Sequence, residues 1–301
     1  MLSDSLSSIV FFKRRFPSAN NILVRGDRPI LIDPGFQTDL SETERLISNA
    51  GVPPSQLALI VNTHYHSDHV GGNHGFQTRW HTPIAASAID ARLINDRDRD
   101  ACAAEWLGQP VEPYTVDQAL LPGDILSTGA VDLEVIAAPG HTLGHMVLFA
   151  RESGVLIAGD TFHADDVAWL NVFREGTGAI YRMMDTLDRL AVLPLKRSYS
   201  GHGAPCETPL QTIDAARRRY EKWIPDPHKI GWHACKRIFT YALMLEDGMT
   251  RPDIERYLLR ANWFYDYARF VFDLAPAGFI QPLLDECTRS GGAEWRGDKL
   301  Y

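Results

Sequence analysis

The chain has 301 residues, 45% hydrophobic and 23% charged, with a net charge of −8. That length suits one large domain or a domain with an appendage, and the acidic balance argues against a nucleic-acid binder. No apolar run approaches the roughly 18–20 residues that span a bilayer. Lys13-Arg14-Arg15 follow the short run Ile9-Val10-Phe11-Phe12 instead of preceding it, the reverse of an export signal. Cys102, Cys206, Cys235 and Cys287 are too scattered for a disulfide framework, so a cytoplasmic home is expected.

From Asn21 to about Pro209, short apolar runs alternate with amphipathic stretches. Arg28 to Asp33 reads as a buried strand stopped by Pro34-Gly35. Ser41 and Glu44 suggest a capping box for a helix that Gly51 ends. Leu57 to Val61 is a second strand, running into Asn62-Thr63-His64. Pro83 to Ala86 predicts a short strand and Ala88 to Ile94 a helix, followed by an irregular stretch over 96–120. Val131 to Ala137 alternates as a strand and stops at Pro139-Gly140-His141. Met146 to Ala150 and Val155 to Ala158 predict a hairpin ending at Gly159-Asp160, and Arg197 to Tyr199 a last strand before Gly201-His202. Residues 211–260 read as helical, with ten basic residues against seven acidic. The expected division is a metal-binding domain over 1–209 and a helical C-terminal extension over 210–301.

The chemistry concentrates in His64-Tyr65-His66-Ser67-Asp68-His69, directly after a strand. On a tight loop this spacing presents three imidazoles and a carboxylate to one small volume. Such a donor set suits zinc, and also iron or manganese. Gly71 and Gly72 let the chain turn away closely behind it. His141, Asp160 and His202 each follow a strand as well, where α/β architectures gather functional loops.

Asp33, the His64–His69 motif, Pro139-Gly140-His141, Gly159-Asp160-Thr161 and Gly201-His202-Gly203 together resemble the metallo-β-lactamase superfamily over about residues 20–205. The resemblance implies an α/β fold, a four-layer αββα sandwich with two divalent ions, zinc first, at the open edge between the sheets. It gives His64, His66 and His141 to one ion and Asp68, His69 and His202 to the other, with Asp160 bridging. A hydroxide shared by the ions is then the nucleophile, and Asp68 orients it and passes a proton to the leaving group. Asp33 and His145 look like residues that orient the ligands. His163 is a candidate substrate contact, whereas His74, His81, His228 and His233 lack ligand spacing.

The resemblance also narrows the activity. The commonest exported β-lactamases hold a cysteine where Asp160 stands, diiron relatives replace the histidine at 66, and nucleases carry an inserted domain. What remains is a small ester, thioester or lactone as substrate, in a group similar to glyoxalase II. Lys229, Lys236 and Arg237 are candidate contacts for a glutathione thioester's carboxylates. Trp106, Tyr114, Phe162, Trp169 and Phe173 are candidate pocket residues. Trp263, Phe264, Tyr265 and Tyr267 read as packing between tail and core, and make a homodimer a further expectation. Two readings stand beside this one. In the first the chain is an RNA-processing or phosphodiester-cleaving member whose tail, Ala234 to Arg260, is winged-helix-like; in the second it is a binding protein that keeps the fold without turnover.

Overall fold

The computed structural model describes residues 7–98 and 101–301. Its first sheet runs β1 (Ile9–Phe12), β2 (Asn21–Val24), β3 (Ile30–Ile32), β4 (Leu59–Val61), β5 (Ile84–Ser87) and β6 (Gln118–Leu120), in that spatial order. The first three are antiparallel and the rest parallel. The parallel connections are long enough to carry helices: α1 (Leu40–Asn49), the single turn α2 (Ser67–Val70), α3 (Asn73–Trp80), α4 (Ala88–Asn95) and the short α5 (Ala104–Leu107). The second sheet has the order β11-β10-β9-β8-β7, from β7 (Ile125–Ser127), β8 (Asp132–Ala137), β9 (Met146–Ala150), β10 (Val155–Gly159) and β11 (Arg197–Ser200). Helix α6 (Ala179–Ala191) crosses from β10 to its parallel neighbour β11.

Period-two alternation builds the layers. Ile22, Val24, Ile30, Ile32 and Val61 point inward and meet Leu133, Val135, Met146, Leu148 and Ile157 of the second sheet. Their neighbours Leu23, Leu31 and Ile60 point outward against Ile47 of α1, Phe76 of α3 and Ala91 and Ile94 of α4. On the far side Val147, Phe149, Leu156 and Ala158 pack on Met183, Leu187 and Leu190 of α6 and on Ile213, Ala216 and Tyr220 of α7 (Pro209–Glu221). The result is the four-layer αββα sandwich. Strands covered on both faces read as continuous apolar runs, which is why β9 and β10 are buried at all five positions.

A separate core begins at α8 (His228–Leu245) and continues through α9 (Arg251–Leu258), α10 (Asn262–Asp266) and α11 (Pro276–Arg289). Three two-residue strands, β12 (Met249–Thr250), β13 (Trp295–Arg296) and β14 (Lys299–Leu300), form a small sheet beside these helices. Trp263, Phe264 and Tyr267 are fully buried inside this core and Tyr265 is exposed. Leu107 of α5 joins it, and Trp169 and Phe173 pack against it from the sandwich loops.

Several expectations change. Ser41 lies inside α1, whose N-cap Asp39 makes no side-chain cap; Glu44 instead accepts from Trp80 Nε1 at 2.9 Å. Gly51 does end the helix, at φ +87° with Val52 N donating to Ile47 O. The irregular stretch contains α5 and the edge strand β6, with residues 99 and 100 outside the described part. Ile9–Phe12 is a strand, and Arg14 beyond it is buried, donating to Thr43 at 2.7 Å and paired with Glu42 at 3.1 Å. All four cysteines are buried and unbridged. No helix among the described residues is long and apolar enough to cross a membrane.

Candidate metal centre

Five chain segments leave strands at one edge of the sandwich and converge there. Asp33 follows β3, His64 to His69 follow β4, His141 follows β8, Asp160 follows β10 and His202 follows β11. Backbone bonds lock the segments together: Met146 N to Thr63 O, Gly201 N to Gly159 O, and Ala19 N to Asp68 O. His66 starts the one-turn helix α2 and accepts from His69 N and Val70 N. That turn brings Asp68 and His69 to the same point as His64 and His66.

Three groups of side chains offer ligand atoms within 4.8 Å of one another: His64, His66 and His141; His64, His69 and Asp160; and Asp68, His69 and His202. In the first, His66 Nδ1 lies 3.0 Å from His64 Nε2 and 2.9 Å from His141 Nε2. In the last, Asp68 Oδ2 is 3.1 Å from His202 Nε2 and 3.6 Å from His69 Nε2. Asp160 reaches both sides, with Oδ1 3.5 Å from His69 Nε2 and Oδ2 3.8 Å from His141 and 3.5 Å from His202. All seven residues named from the sequence are therefore brought together.

The donors fit divalent cations. His69 Nε2 and Asp160 Oδ1 are buried without a hydrogen-bond partner, so each has an unused lone pair aimed inward. Burial first, then neighbouring imidazoles, hold His64 and His66 well below the usual imidazole range and so keep them neutral. Burial lowers His141 too. Burial opposes charge on Asp160, but His202, His69 and His163 outweigh it and keep the carboxyl well below its usual range. Asp68 is lowered against burial by His69 and His202. For His69 and His202 burial is outweighed by the facing carboxylates, which raise both. The neutral imidazoles of His64, His66 and His141 beside ionised Asp68 and Asp160 are the protonation state a cation needs, and His69 and His202 give up any proton they hold as a cation enters.

The opposite ring nitrogens are held from outside. His141 Nδ1 donates to Trp169 O at 2.7 Å, which leaves Nε2 free to ligate. His69 Nδ1 bonds Asp33 Oδ2 at 2.8 Å, and that carboxylate also accepts from Thr63 N and Thr63 Oγ1. His145 Nε2 accepts from Asp160 N at 2.9 Å. Both orienting residues expected from the sequence thus touch the ligand set. The glycines serve by lacking a Cβ: one on Gly201 would fall 2.2 Å from Asp160 Oδ1, and one on Gly71 2.3 Å from Gln37 N. The need at Gly71 is close approach of the 34–37 segment, and its φ is not positive.

Residues 14–202 match the Metallo-beta-lactamase superfamily model. The chain belongs to that superfamily. It is 34% identical to a hydroxyacylglutathione hydrolase of Rhodobacter capsulatus over 149 residues, 49% of this chain and 48% of that protein. It is 26% identical to a probable metallo-hydrolase of Methanocaldococcus jannaschii, over 62% of this chain and 88% of that one. A metallo-beta-lactamase family protein from Thermus thermophilus shares the fold over 97% of both chains, with TM-score 0.62 and 20% identity. The chain spans about half the length of the hydroxyacylglutathione hydrolases it matches.

A cavity of about 620 Å³ opens over this donor cluster, with Asp68, Asp160, His66 and His202 among its lining residues. Of the five aromatics expected to line it, only Trp169 does, stacked on His66 at 5.4 Å. Tyr114 and Phe162 are buried in the layers outside the two sheets, Phe173 packs on Tyr267, and Trp106 donates to Asp266. His163 and Arg237 do line the cavity. Lys236 pairs with Glu286 at 3.0 Å and Lys229 with Asp226 at 3.7 Å, neither of them lining it. His74 and His228 lie elsewhere, His74 bonded to Pro113 O and His228 facing Asp226. His81 caps α3, and His233 is buried beside Trp223. Asn20, overlooked in the sequence, donates to Ser200 O at 2.9 Å and anchors the segment that carries His202.

Proposed function

We propose that the protein is a dinuclear metal-dependent hydrolase of a small ester, thioester or lactone. The observation that carries this reading is Asp160, whose two oxygens face ligand atoms on both sides of one donor cluster that lines a cavity. Two divalent ions held by His64, His66 and His141 and by Asp68, His69 and His202 would lower the pKa of a shared water toward about 7 and polarise the substrate carbonyl. The chain's own groups do the rest. Asp68 lines the cavity, its Oδ2 3.1 Å from His202 Nε2, and in this reading it takes a proton and hands it to the leaving oxygen or sulfur. Trp169 and the α8 side chains form the walls.

The nucleic-acid reading finds less support. Eight of the ten basic residues in 211–260 are engaged by carboxylates, so the local positive balance leaves no continuous cationic face. The test is a panel of thioesters, lactones, aryl esters, phosphodiesters and a β-lactam on protein of measured metal content. At least one ester, thioester or lactone should turn over. Asp68→Ala should lose about a hundredfold or more in kcat, and His66→Ala should lose metal as well. Hydrolysis confined to phosphodiesters, or unchanged turnover in Asp68→Ala, contradicts the proposal.

A further inference from the structure

The cavity lining is part apolar and part acidic. Arg237, Thr240, Tyr241 and Met244 recur at i, i+3, i+4 and i+7, so one face of α8 looks into it. Tyr241 and Met244 of that face, with Ile238, Leu107 and Phe16, make an apolar surface beside Arg237 and Thr240, stiffened by the edge-on contact of Phe16 with Tyr241 at 4.8 Å. The loop after β10 adds two carboxylates after Asp160: Asp165, which is exposed, and Asp166, which reaches the α8 face. Among the described lining residues the only lysine or arginine is Arg237, and Asp166 holds it in an ion pair. Asp166 also takes Arg219 at 2.7 Å, a side chain outside the cavity.

This distribution decides what fits beside the reacting carbonyl. A glutathione leaving group brings two carboxylates and one ammonium, a net negative charge; here Asp165 repels it, and Arg237 is already held by Asp166. An alkyl chain meets the α8 face instead and removes apolar surface from water. We propose that the cavity takes esters or thioesters whose acyl and leaving groups are both uncharged, with an apolar acyl chain along α8, and that it rejects glutathione thioesters. The proposal rests on the reading of the site as an ester or thioester hydrolase. It separates this chain from the hydroxyacylglutathione hydrolases it resembles over half their length.

Binding can be read without turnover, because Trp169 lines the cavity and its fluorescence reports occupancy. Two thioethers that cannot be hydrolysed, S-hexyl-N-acetylcysteamine and S-hexylglutathione, share a chain and differ in charge. The uncharged one should bind about tenfold or more tighter, since like charges facing one another are penalised. Removing methylenes from its hexyl group should weaken binding about three- to fourfold each. Met244→Asp, at a half-exposed position, should cost about tenfold for the hexyl ligand. Asp165→Lys, at an exposed position, should shrink the preference against S-hexylglutathione by tightening that ligand more than the uncharged one. Tighter binding of S-hexylglutathione, or affinity indifferent to alkyl length, overturns the proposal. On metal-loaded protein, hexanoyl-N-acetylcysteamine should be cleaved in preference to hexanoylglutathione. If the binding preference holds and no ester or thioester is cleaved, the specificity of the cavity stands and the hydrolase reading fails.

Discussion

Asp33 ties two imidazoles of the centre to one carboxylate. It bonds His69 Nδ1 directly, and reaches His64 through Thr63 Oγ1, which lies 3.2 Å from His64 Nδ1. Both rings are thereby turned with Nε2 inward. Removing such a partner typically costs about 10–100-fold in metal affinity or activity. Asp33→Ala should therefore lower metal affinity by about that factor while the fold is retained, as metal titration with circular dichroism would show; full affinity would contradict the role. Asp90 makes a different prediction. It is buried near Gly144 with neither carboxylate oxygen hydrogen-bonded, and burial, with Glu175, pushes it up to about 8. The unfolded chain releases this proton near 3.8 and the folded chain keeps it to about 8, so stability must fall as pH rises through that window. The slope is at most about 1.4 kcal/mol per pH unit. Asp90→Asn should flatten the dependence of the urea midpoint between pH 5 and 8, and an unchanged slope would sink the assignment.

At the scale of elements, alternation along doubly covered strands carries the stability. Phe149 on β9 is fully buried between the second sheet and the α6–α7 layer. Phe149→Ala should cost about 3–5 kcal/mol, measured by urea unfolding; a loss under about 1 kcal/mol would mean the layer repacks freely. This pattern also explains what is legible in the sequence. Central strands β3, β4, β8, β9 and β10 carry continuous or alternating apolar residues, and their expected bounds fall within a few residues of the observed ones. Edge strands are harder to read: Ile125–Ser127 buries only Leu126, and three residues with one buried side chain have no readable period. Helix α6 is absent from the sequence-based expectations although Ile180, Met183, Leu187 and Leu190 repeat at helical spacing, so its signal is present. Tyr114, Phe162 and Phe173 are misplaced for another reason. Nearness to a motif in sequence does not say on which side of a sheet a ring lies.

For the whole molecule, the ligand residues are legible because they fall in the His64–His69 loop and three short motifs, each at a strand end. The walls above them are legible only in part: His163, Trp169 and Arg237 are named from the sequence, but Thr240, Tyr241 and Met244 come from α8, about 80 residues beyond Asp160, and contact that far along the chain leaves no local pattern. The two cores meet through Leu107, Trp169 and Phe173, so the extension's packing and the shape of the cavity are one problem. Ions that bind only the folded state should also stabilise it, by about 4 kcal/mol at a thousand times Kd. The central claim is that one cluster, shared through Asp160, holds two ions. Calorimetric titration of chelator-stripped protein with zinc tests it most directly. Two equivalents should bind per chain, and Asp160→Ala should lose at least one; no saturable binding, or two equivalents unchanged in Asp160→Ala, would contradict it.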